Sequence, residues 1–423
     1  MPQRLNDVVR FRGDRLFNGA VSISWFGTDE SKTKAASEAF VFHGPKYHGV
    51  QQEDVGTGHG HLLMDTASLA RAVVRRCYGL EDQPFTLAIA GYGTGKSHLG
   101  LTLASLVSAP DGEIAQGVLS AIETADAGIG GDLRVLLQEA QQPCLALALN
   151  GMQSFDLTAE ITKQIVRTLK ADGLDPRSLD DLRPRFGQAA SLIRMSNEGV
   201  VKERVAACEV SSAQDLLAGL DQQDERTYAK IHDFFASRGM PIRALAGESV
   251  RDVIDVTVRE YCGKGKPYRC LLVLFDEFGK YTEFATVRSQ IAGSGVLQDL
   301  FEAIQANANS TCFVGFIQFE LNAYVQRVAP EYKNEILRYV TRYQSANRVY
   351  LSINLETLIA SLIEKRQHKL LDKWFEGKKA KSDSEAAMAN LARWVPQSNN
   401  HRLWGYTDQL HALVRKECCP RSP

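Results

Sequence analysis

The chain reads Ala90-Gly91-Tyr92-Gly93-Thr94-Gly95-Lys96-Ser97 between a short apolar run and a helical apolar pattern. The run before it, residues 85–90, fits a buried strand, and Leu99, Leu103 and Leu106 follow at helical spacing. Its glycines allow successive backbone N–H groups to curl around one anion-sized hollow at the start of a helix. The stretch therefore predicts a phosphate-binding loop, with Ala90 where such loops usually carry glycine. An ordinary glycine turn is the alternative.

Two side chains at the end of this loop have the chemistry that a bound nucleoside triphosphate requires. Lys96 can reach the β- and γ-phosphates, and the Ser97 hydroxyl can ligate Mg²⁺. We therefore predict ATP and Mg²⁺ as ligands. By itself, His98 is expected to pack against the sheet rather than to take part in chemistry. The candidate nucleotide contacts are Gly91, Tyr92, Gly93, Thr94, Gly95, Lys96, Ser97 and His98.

A second apolar run, at residues 271–275, ends in Asp276 and Glu277. Parallel sheets bind ligands at the carboxyl ends of their strands, where these two carboxylates would lie. We expect Asp276 to be the metal residue, holding Mg²⁺ through water, and Glu277 to act as general base on the attacking water. The alternative is a strand that simply ends at an acidic turn.

One polar side chain interrupts a third apolar run near its end. Residues 312–319 carry Gln318 as their single polar residue. In ATPases with such a loop, the strand beside the loop presents a polar residue to the γ-phosphate or to the attacking water. Gln318 is therefore the candidate sensor, and the alternative is an amide that caps the end of the strand.

Several arginines lie in or near a predicted helix at residues 331–343. An arginine just before the last core strand is where oligomeric ATPases place the finger that reaches a neighbour's γ-phosphate. We favour Arg342 for this role, with Arg348 as the alternative. A solvated charge stripe that pairs with Glu335 explains the same pattern. The set is Arg327, Arg338, Arg342 and Arg348.

The order of the apolar runs predicts an α/β fold, with a mostly parallel sheet covered by helices on both faces. Further strands are expected at 144–149 and 349–353, and the alternation of Val21, Ile23 and Trp25 predicts one more. A helix is expected from Thr66 to Arg76. The predicted domains are an N-terminal module at 1–84, a core at 85–355 with a helical insertion at about 172–247, and a C-terminal helical lid, or the start of a further domain, at 356–423.

The composition of the chain indicates which partners and which cellular compartment to expect. Lys plus Arg number 49 and Asp plus Glu number 50, so no global field draws the chain to nucleic acid or to an anionic membrane. The eight cysteines are scattered without a paired spacing, which indicates reduced core residues rather than a zinc site. There is no signal-peptide pattern and no apolar run near 18 residues, so we expect a cytoplasmic protein without membrane contact.

The chain resembles an AAA+ ATPase over about residues 85–370. The resemblance rests on four features together: the glycine-rich loop, the strand that ends in two acidic residues, the strand that carries the polar sensor, and the helical segment that follows. The resemblance implies a P-loop NTPase three-layer sandwich with strand order 5-1-4-3-2, and ATP bound between the core and a helical lid. It also implies a homo-oligomer, a ring or filament, with active sites at subunit interfaces.

The stretch from Gly91 to Leu99 also resembles the ATPase part of much longer bacterial phage-defence proteins of the BREX and phage-growth-limitation type. That likeness implies an ATP-driven switch or motor acting on a partner protein of a defence system or on DNA. Two other functions fit the same motifs. One is a nucleotide-dependent recruitment or signalling module with slow turnover, and the other is a DNA-translocating motor.

Overall fold

A central sheet organises the computed structural model of the chain. The strands of this sheet are β2 (Leu62–Met64), β3 (Phe85–Ile89), β4 (Leu145–Asn150), β5 (Leu271–Asp276), β6 (Thr311–Ile317) and β7 (Asn347–Leu351). A separate antiparallel pair joins β1 (Val9–Phe11) to β8 (Ile363–Lys365). The structure describes residues 9–13, 17, 19–45, 62–180, 184–196, 199, 212–237, 249–293, 295–351, 358, 361–366 and 386.

The six strands lie side by side in the order β2-β7-β3-β6-β5-β4, and each neighbouring pair is parallel. Counted from β3, the strand before the glycine-rich loop, the five longer strands therefore lie in the order 5-1-4-3-2. The sheet differs from the expected one by β2, a three-residue strand on the outside of β7. Because β2 comes from residues before 85, the segment expected as an N-terminal module supplies part of the same sheet.

Helices cover both faces of the sheet. The helix α1 (Glu30–Ala39) packs on the helix α3 (Lys96–Ser108), where the Ser37 hydroxyl donates to the Ser105 hydroxyl at 3.1 Å. On the first face of the sheet lie α2 (Thr66–Cys77), α3, α4 (Glu113–Ala125) and α5 (Ala127–Ala140). On the second lie α6 (Leu157–Ala171), α11 (Val250–Tyr261), α12 (Phe278–Val287), α14 (Val296–Ala306) and α16 (Lys333–Arg342). The intervening short helices are α7 (Arg177–Asp180), α13 (Ser289–Ala292) and α15 (Leu321–Val325).

Alternate residues of each strand enter the two opposite cores. In β5, Leu271 and Val273 pack with the second-face helices, while Leu272 and Leu274 pack with the first-face helices. A strand buried on both faces must be apolar at every position, which is why β5 is a continuous apolar run. The result is the three-layer α/β architecture that the strand and helix alternation predicts.

The expected strand around Val21, Ile23 and Trp25 is wrong. Ile23–Trp25 forms a 3₁₀ turn, and the Ser22 hydroxyl accepts the Ser24 N–H at 3.3 Å. Of the three apolar residues, Ile23 is fully buried, whereas Val21 and Trp25 are partly exposed. Local hydrogen bonding by serine offers the backbone an alternative to a strand ladder.

The insertion predicted at about 172–247 is helical where the structure describes it. Its longer helices form their own apolar cluster around Phe186, Ile231 and Phe235. These helices are α8 (Pro184–Arg194), α9 (Ala213–Asp221) and α10 (Glu225–Ala236).

Most of the predicted C-terminal lid, residues 356–423, lies outside the described residues. One expectation in this region is nevertheless wrong, because the pattern from Leu355 to Ile363 predicts helix throughout. Ile363 instead begins β8, and the Arg12 N–H donates to the Leu362 carbonyl at 2.7 Å. Backbone pairing with a distant strand overrides the helical spacing of the side chains.

Candidate functional site

The glycine-rich loop leaves the carboxyl end of β3 and runs directly into α3. Gly93 and Gly95 adopt φ of 74° and 83°, a left-handed conformation that favours glycine. The Thr94 hydroxyl donates to the Gly91 carbonyl at 2.9 Å and closes the turn. The loop thus has the strand–turn–helix context that the sequence predicts, and it lies at the N-terminus of a helix, where anions are stabilised.

Lys96 lies inside this loop. Its side chain is only 5% exposed, and Nζ donates to the carbonyls of Ala90 and Gly91 at 2.9 and 2.7 Å. Burial lowers the pKa of Lys96, while the nearby carboxylates of Glu277 and Asp276 oppose that shift. The ammonium is therefore held at the loop by neutral carbonyls, which an anion can replace at a gain in Coulomb energy.

Asp276, the last residue of β5, faces the start of α3. It is 4% exposed, and burial raises the pKa of its carboxyl, while the neighbouring Ser97 hydroxyl opposes the shift. The two residues predicted to hold the metal are thus in contact. A hydroxyl and a carboxylate supply the oxygen ligands that Mg²⁺ prefers, with water and phosphate completing the shell, so this pair fits the predicted ion. The described residues contain no group of three or more His, Cys, Asp or Glu side chains that could hold a metal.

Glu277 follows directly and adopts φ of 51°, unusual for a residue with a side chain. It is the N-cap residue of α12, and its two carboxylate oxygens accept from Gln318 Nε2 at 2.8 and 3.1 Å. Gln318 follows β6, which lies between β3 and β5 in the sheet. The adjacent strand ends thus bring together the general base and the sensor that the sequence predicts.

Tyr324 supports this pair from beneath, a role that no motif in the sequence indicates. The backbone N–H of Gln318 donates to the Tyr324 hydroxyl at 3.3 Å, and Tyr324 is almost fully buried. Its ring lies so close to Gly279 that a Cβ there would come within 2.2 Å of the ring. A glycine inside a predicted helix, two residues after Glu277, was the available signal for such a close approach.

Asn150 is a second residue that the motifs did not single out. It ends β4 in register with Asp276, and the N–H of Gly151 donates to the Asp276 carbonyl at 2.8 Å. The polar end of an otherwise apolar strand was the available signal. Asn150 therefore borders the acidic pair on the side away from Gln318.

Two other residues predicted to contact the nucleotide, Tyr92 and His98, lie in different places. Tyr92 is 91% exposed at the tip of the loop. His98 turns to α1, where Nε2 contacts the Ala36 carbonyl at 2.5 Å and the ring packs edge-on against Phe40. Burial lowers the pKa of His98. His98 does pack rather than join the acidic pair, but it packs on a helix instead of on the sheet.

The predicted finger, Arg342, lies away from this chain's own loop. It pairs with Glu302 of α14 at 3.9 Å, and the next residue, Tyr343, packs edge-on against Phe85 at the amino end of β3. The alternative finger, Arg348, pairs with Glu320 at 3.7 Å. A role for Arg342 at a neighbouring subunit stays a prediction.

The cysteines meet in the core rather than at this site. The thiol of Cys77 contacts those of Cys144, Cys270 and Cys312, and these contacts together with burial raise its pKa. These four and Cys262 are free and buried, as expected for reduced core residues. Cys208, Cys418 and Cys419 lie outside the described residues.

Comparisons with known proteins add no information about this site. No protein-family model matches this chain, and neither a curated protein nor a solved structure matches it. In the part of the chain that the structure describes, every helix is too short or too polar to cross a bilayer.

Proposed function

We propose that this chain binds Mg-ATP at the glycine-rich loop and hydrolyses it. One observation carries the proposal: Lys96, Ser97, Asp276, Glu277 and Gln318 come from three adjacent strand ends and lie within mutual contact or charge range. A chance glycine turn would not bring a buried lysine and two carboxylates to one edge of a parallel sheet.

Each residue has a role that its present contacts support. Lys96 would exchange the two loop carbonyls for β- and γ-phosphate oxygens, and Ser97 and Asp276 are the residues that would hold Mg²⁺. When bound, Mg²⁺ neutralises the charge that develops on the phosphate oxygens. Burial makes both Lys96 and Asp276 costly as lone charges, so ligand binding gives each a compensating partner.

Glu277 takes the proton from the attacking water as general base. Both of its oxygens accept from Gln318, so that contact must loosen before Glu277 can bind water. The freed amide of Gln318 is then positioned to donate to the γ-phosphate or to the water. Glu277 and Gln318 therefore act together, because loss of their hydrogen bonds frees the carboxylate to bind water.

The wider proposal is a P-loop NTPase of the AAA+ kind, supported by the 5-1-4-3-2 order of the five longer strands. It includes a homo-oligomer in which Arg342 reaches a neighbour's γ-phosphate. The protein would act in the cytoplasm as an ATP-driven switch or motor. It would act on a protein partner in antiphage defence or on DNA.

A recruitment or signalling module with slow turnover is the second candidate. The observation that favours it is the double hydrogen bond that holds Glu277, because an engaged base keeps basal hydrolysis low. Assembly on ATP with negligible turnover, measured as mass in solution beside phosphate release, would support this candidate. Steady turnover stimulated by a partner or by DNA would support the switch or motor.

The first prediction tests the base. Glu277→Gln should bind Mg-ATP with nearly unchanged affinity but release phosphate more slowly by about 100-fold or more, because a general base contributes about 10²–10⁴ in rate. Binding is measured by calorimetry and turnover by phosphate release. Glu260→Gln, on the exposed surface of α11, is the matched control and should behave as wild type. Equal turnover in Glu277→Gln and wild type would remove Glu277 from its role.

A further inference from the structure

A cavity of about 600 Å³ lies beside the edge strand β4. Its walls are β4, the turn at residues 24–28, helix α6 and residues 222–226 at the start of α10. This volume falls within the range of about 300–1,000 Å³ typical of small-molecule sites. The cavity is separate from the glycine-rich loop, and we call it the strand-edge cavity.

The carboxylates in its wall already have partners. Asp156 caps the N-terminus of α6, and Asp224 caps the N-terminus of α10 and also pairs with Lys163 at 3.6 Å. Glu160 accepts from Gln164 Nε2 at 2.9 Å. Asp156 and Asp224 are therefore compensated by helix N–H groups and, for Asp224, also by Lys163, whereas the charge of Glu160 acts on the guanidinium of Arg167.

The arginines in the wall are compensated less directly, because Glu160 attracts Arg167 only from beyond ion-pair distance. Arg167 is half-buried, and within the described part of the chain its one side-chain hydrogen bond goes from Nη2 to the Phe26 carbonyl at 3.4 Å. Among the described residues, neither Arg167 nor the exposed Arg226 has a carboxylate within ion-pair distance. A guanidinium offers five N–H donors, so most of the donors of Arg167 remain available to a ligand in the cavity.

The position of Arg167 is fixed by the turn above it. Gly27 has φ of 68°, and a Cβ at that residue would lie 2.6 Å from Arg167 Nη2. Glycine is therefore needed here both for its conformation and for the close approach of the guanidinium. The planar head of Arg167 is thus held against the turn while it lines the cavity.

We propose that the strand-edge cavity binds a small molecule through a phosphate or carboxylate group held by Arg167 and Arg226. The guanidinium fork matches both oxyanions in a bidentate manner. Phe26 and Phe155 supply apolar surface for the rest of the molecule.

The cavity also borders the candidate active site. Asn150 lines it, and the next residue, Gly151, donates its N–H to the Asp276 carbonyl. A Cβ on Gly151 would lie 2.4 Å from the Glu277 carbonyl oxygen, so the two strand ends are in tight contact. A ligand in the cavity would therefore touch the strand end that packs against the acidic pair.

Calorimetry on the full chain tests this inference without relying on ATP hydrolysis. All proteins carry Lys96→Ala, so that the glycine-rich loop does not contribute, and the probes are inorganic phosphate and succinate. We expect at least one probe to bind, and Arg167→Gln to weaken that binding by about 10-fold or more. Binding of phosphate alone identifies a phosphate-bearing ligand, and binding of succinate alone identifies a carboxylate-bearing one.

Two further variants keep the test decisive. Arg226→Gln alters an exposed side chain that cannot disturb folding, and it should weaken binding several-fold even if Arg167→Gln fails to fold. Arg259→Gln, on the exposed face of α11, is the matched control and should leave the affinity unchanged. Absence of binding by both probes at about 10 mM, a concentration that would reveal even millimolar affinity, would overturn the proposal. Unchanged affinity in a folded Arg167→Gln protein, or in Arg226→Gln where Arg167→Gln does not fold, would do the same.

Discussion

The two ends of the central sheet are built from different chemistry. At the amino ends of the strands, Phe85, Phe301, Phe313 and Tyr343 pack ring against ring, and the buried thiol cluster around Cys77 lies at the same end. At the carboxyl ends the sheet instead carries the loop with Lys96 and the acidic pair.

This contrast separates stability from ligand binding. Aromatic burial stabilises the fold, whereas a buried lysine and a buried carboxylate cost free energy unless they are paired. A protein retains such charges where a ligand compensates them. Substitutions at the amino ends of the strands should therefore change mainly the free energy of unfolding. Substitutions at the carboxyl ends of the strands should change mainly the affinity for Mg-ATP and the rate of its hydrolysis.

The largest expected effect on stability comes from the amino end. Phe85 is 3% exposed and stacks on Phe301 with ring centroids 4.4 Å apart. Phe85→Ala should lower the free energy of unfolding by about 3–5 kcal/mol, measured by urea denaturation. Val135→Ala, at an exposed position of α5, is the control and should change it by less than about 0.5 kcal/mol. A loss below about 1 kcal/mol for Phe85→Ala would show that this end does not hold the fold together.

An intermediate effect is expected where packing supports the site. Gly279→Ala forces Tyr324 to move, so it should destabilise the protein by about 1–3 kcal/mol. Because Tyr324 holds the backbone of Gln318, phosphate release should fall as well. Gly131→Ala in α5 meets no atom within 4 Å and should instead be neutral or stabilising by up to about 1 kcal/mol. Equal unfolding midpoints and equal turnover for the two variants would argue against the Tyr324 contact.

The smallest effect concerns charge at the carboxyl end. The folded pKa of Asp276 is raised by burial, so its ionised form costs stability at neutral pH. Asp276→Asn should therefore raise the ligand-free free energy of unfolding at pH 7.5 by about 1 kcal/mol. The gain should shrink as pH falls through the folded pKa, and disappear below the unfolded value near 4. The control Asp132→Asn, on the surface of α5, should show no such gain, and destabilisation by Asp276→Asn at pH 7.5 would refute this account.

Much of the sheet could be predicted because its inner strands are buried on both faces. Such strands are continuous apolar runs, so residues 144–149 and 271–275 lie within one residue of the observed bounds of β4 and β5. The three-residue β2 gives no periodic signal, and pairing with β7 alone makes it a strand. The turn at Ile23 was misread because alternation does not register the hydrogen bond made by Ser22.

The residues of the candidate site also fall into two groups, those that the sequence indicates and those that it does not. Asp276 and Gln318 were recognisable because each lies where an apolar strand ends, and Lys96 because it ends the glycine-rich loop that follows such a strand. The order of the strands places these three positions together. Tyr324 and Asn150 were not recognisable, because their roles depend on contacts between elements that the sequence does not show to be adjacent. The ion pair of Arg342 with Glu302 is likewise a tertiary contact that helical spacing could not reveal.

The role of Lys96 in nucleotide binding is measured by calorimetric titration of Mg-ATP into wild type and into Lys96→Ala. We expect wild type to bind and Lys96→Ala to lose affinity by about 100-fold or more, since the ammonium would make charge-assisted contacts with two phosphates. Lys280→Ala, on α12 beside Glu283, should bind as wild type does. Wild type without measurable affinity for Mg-ATP, or equal affinity in Lys96→Ala, would contradict this expectation.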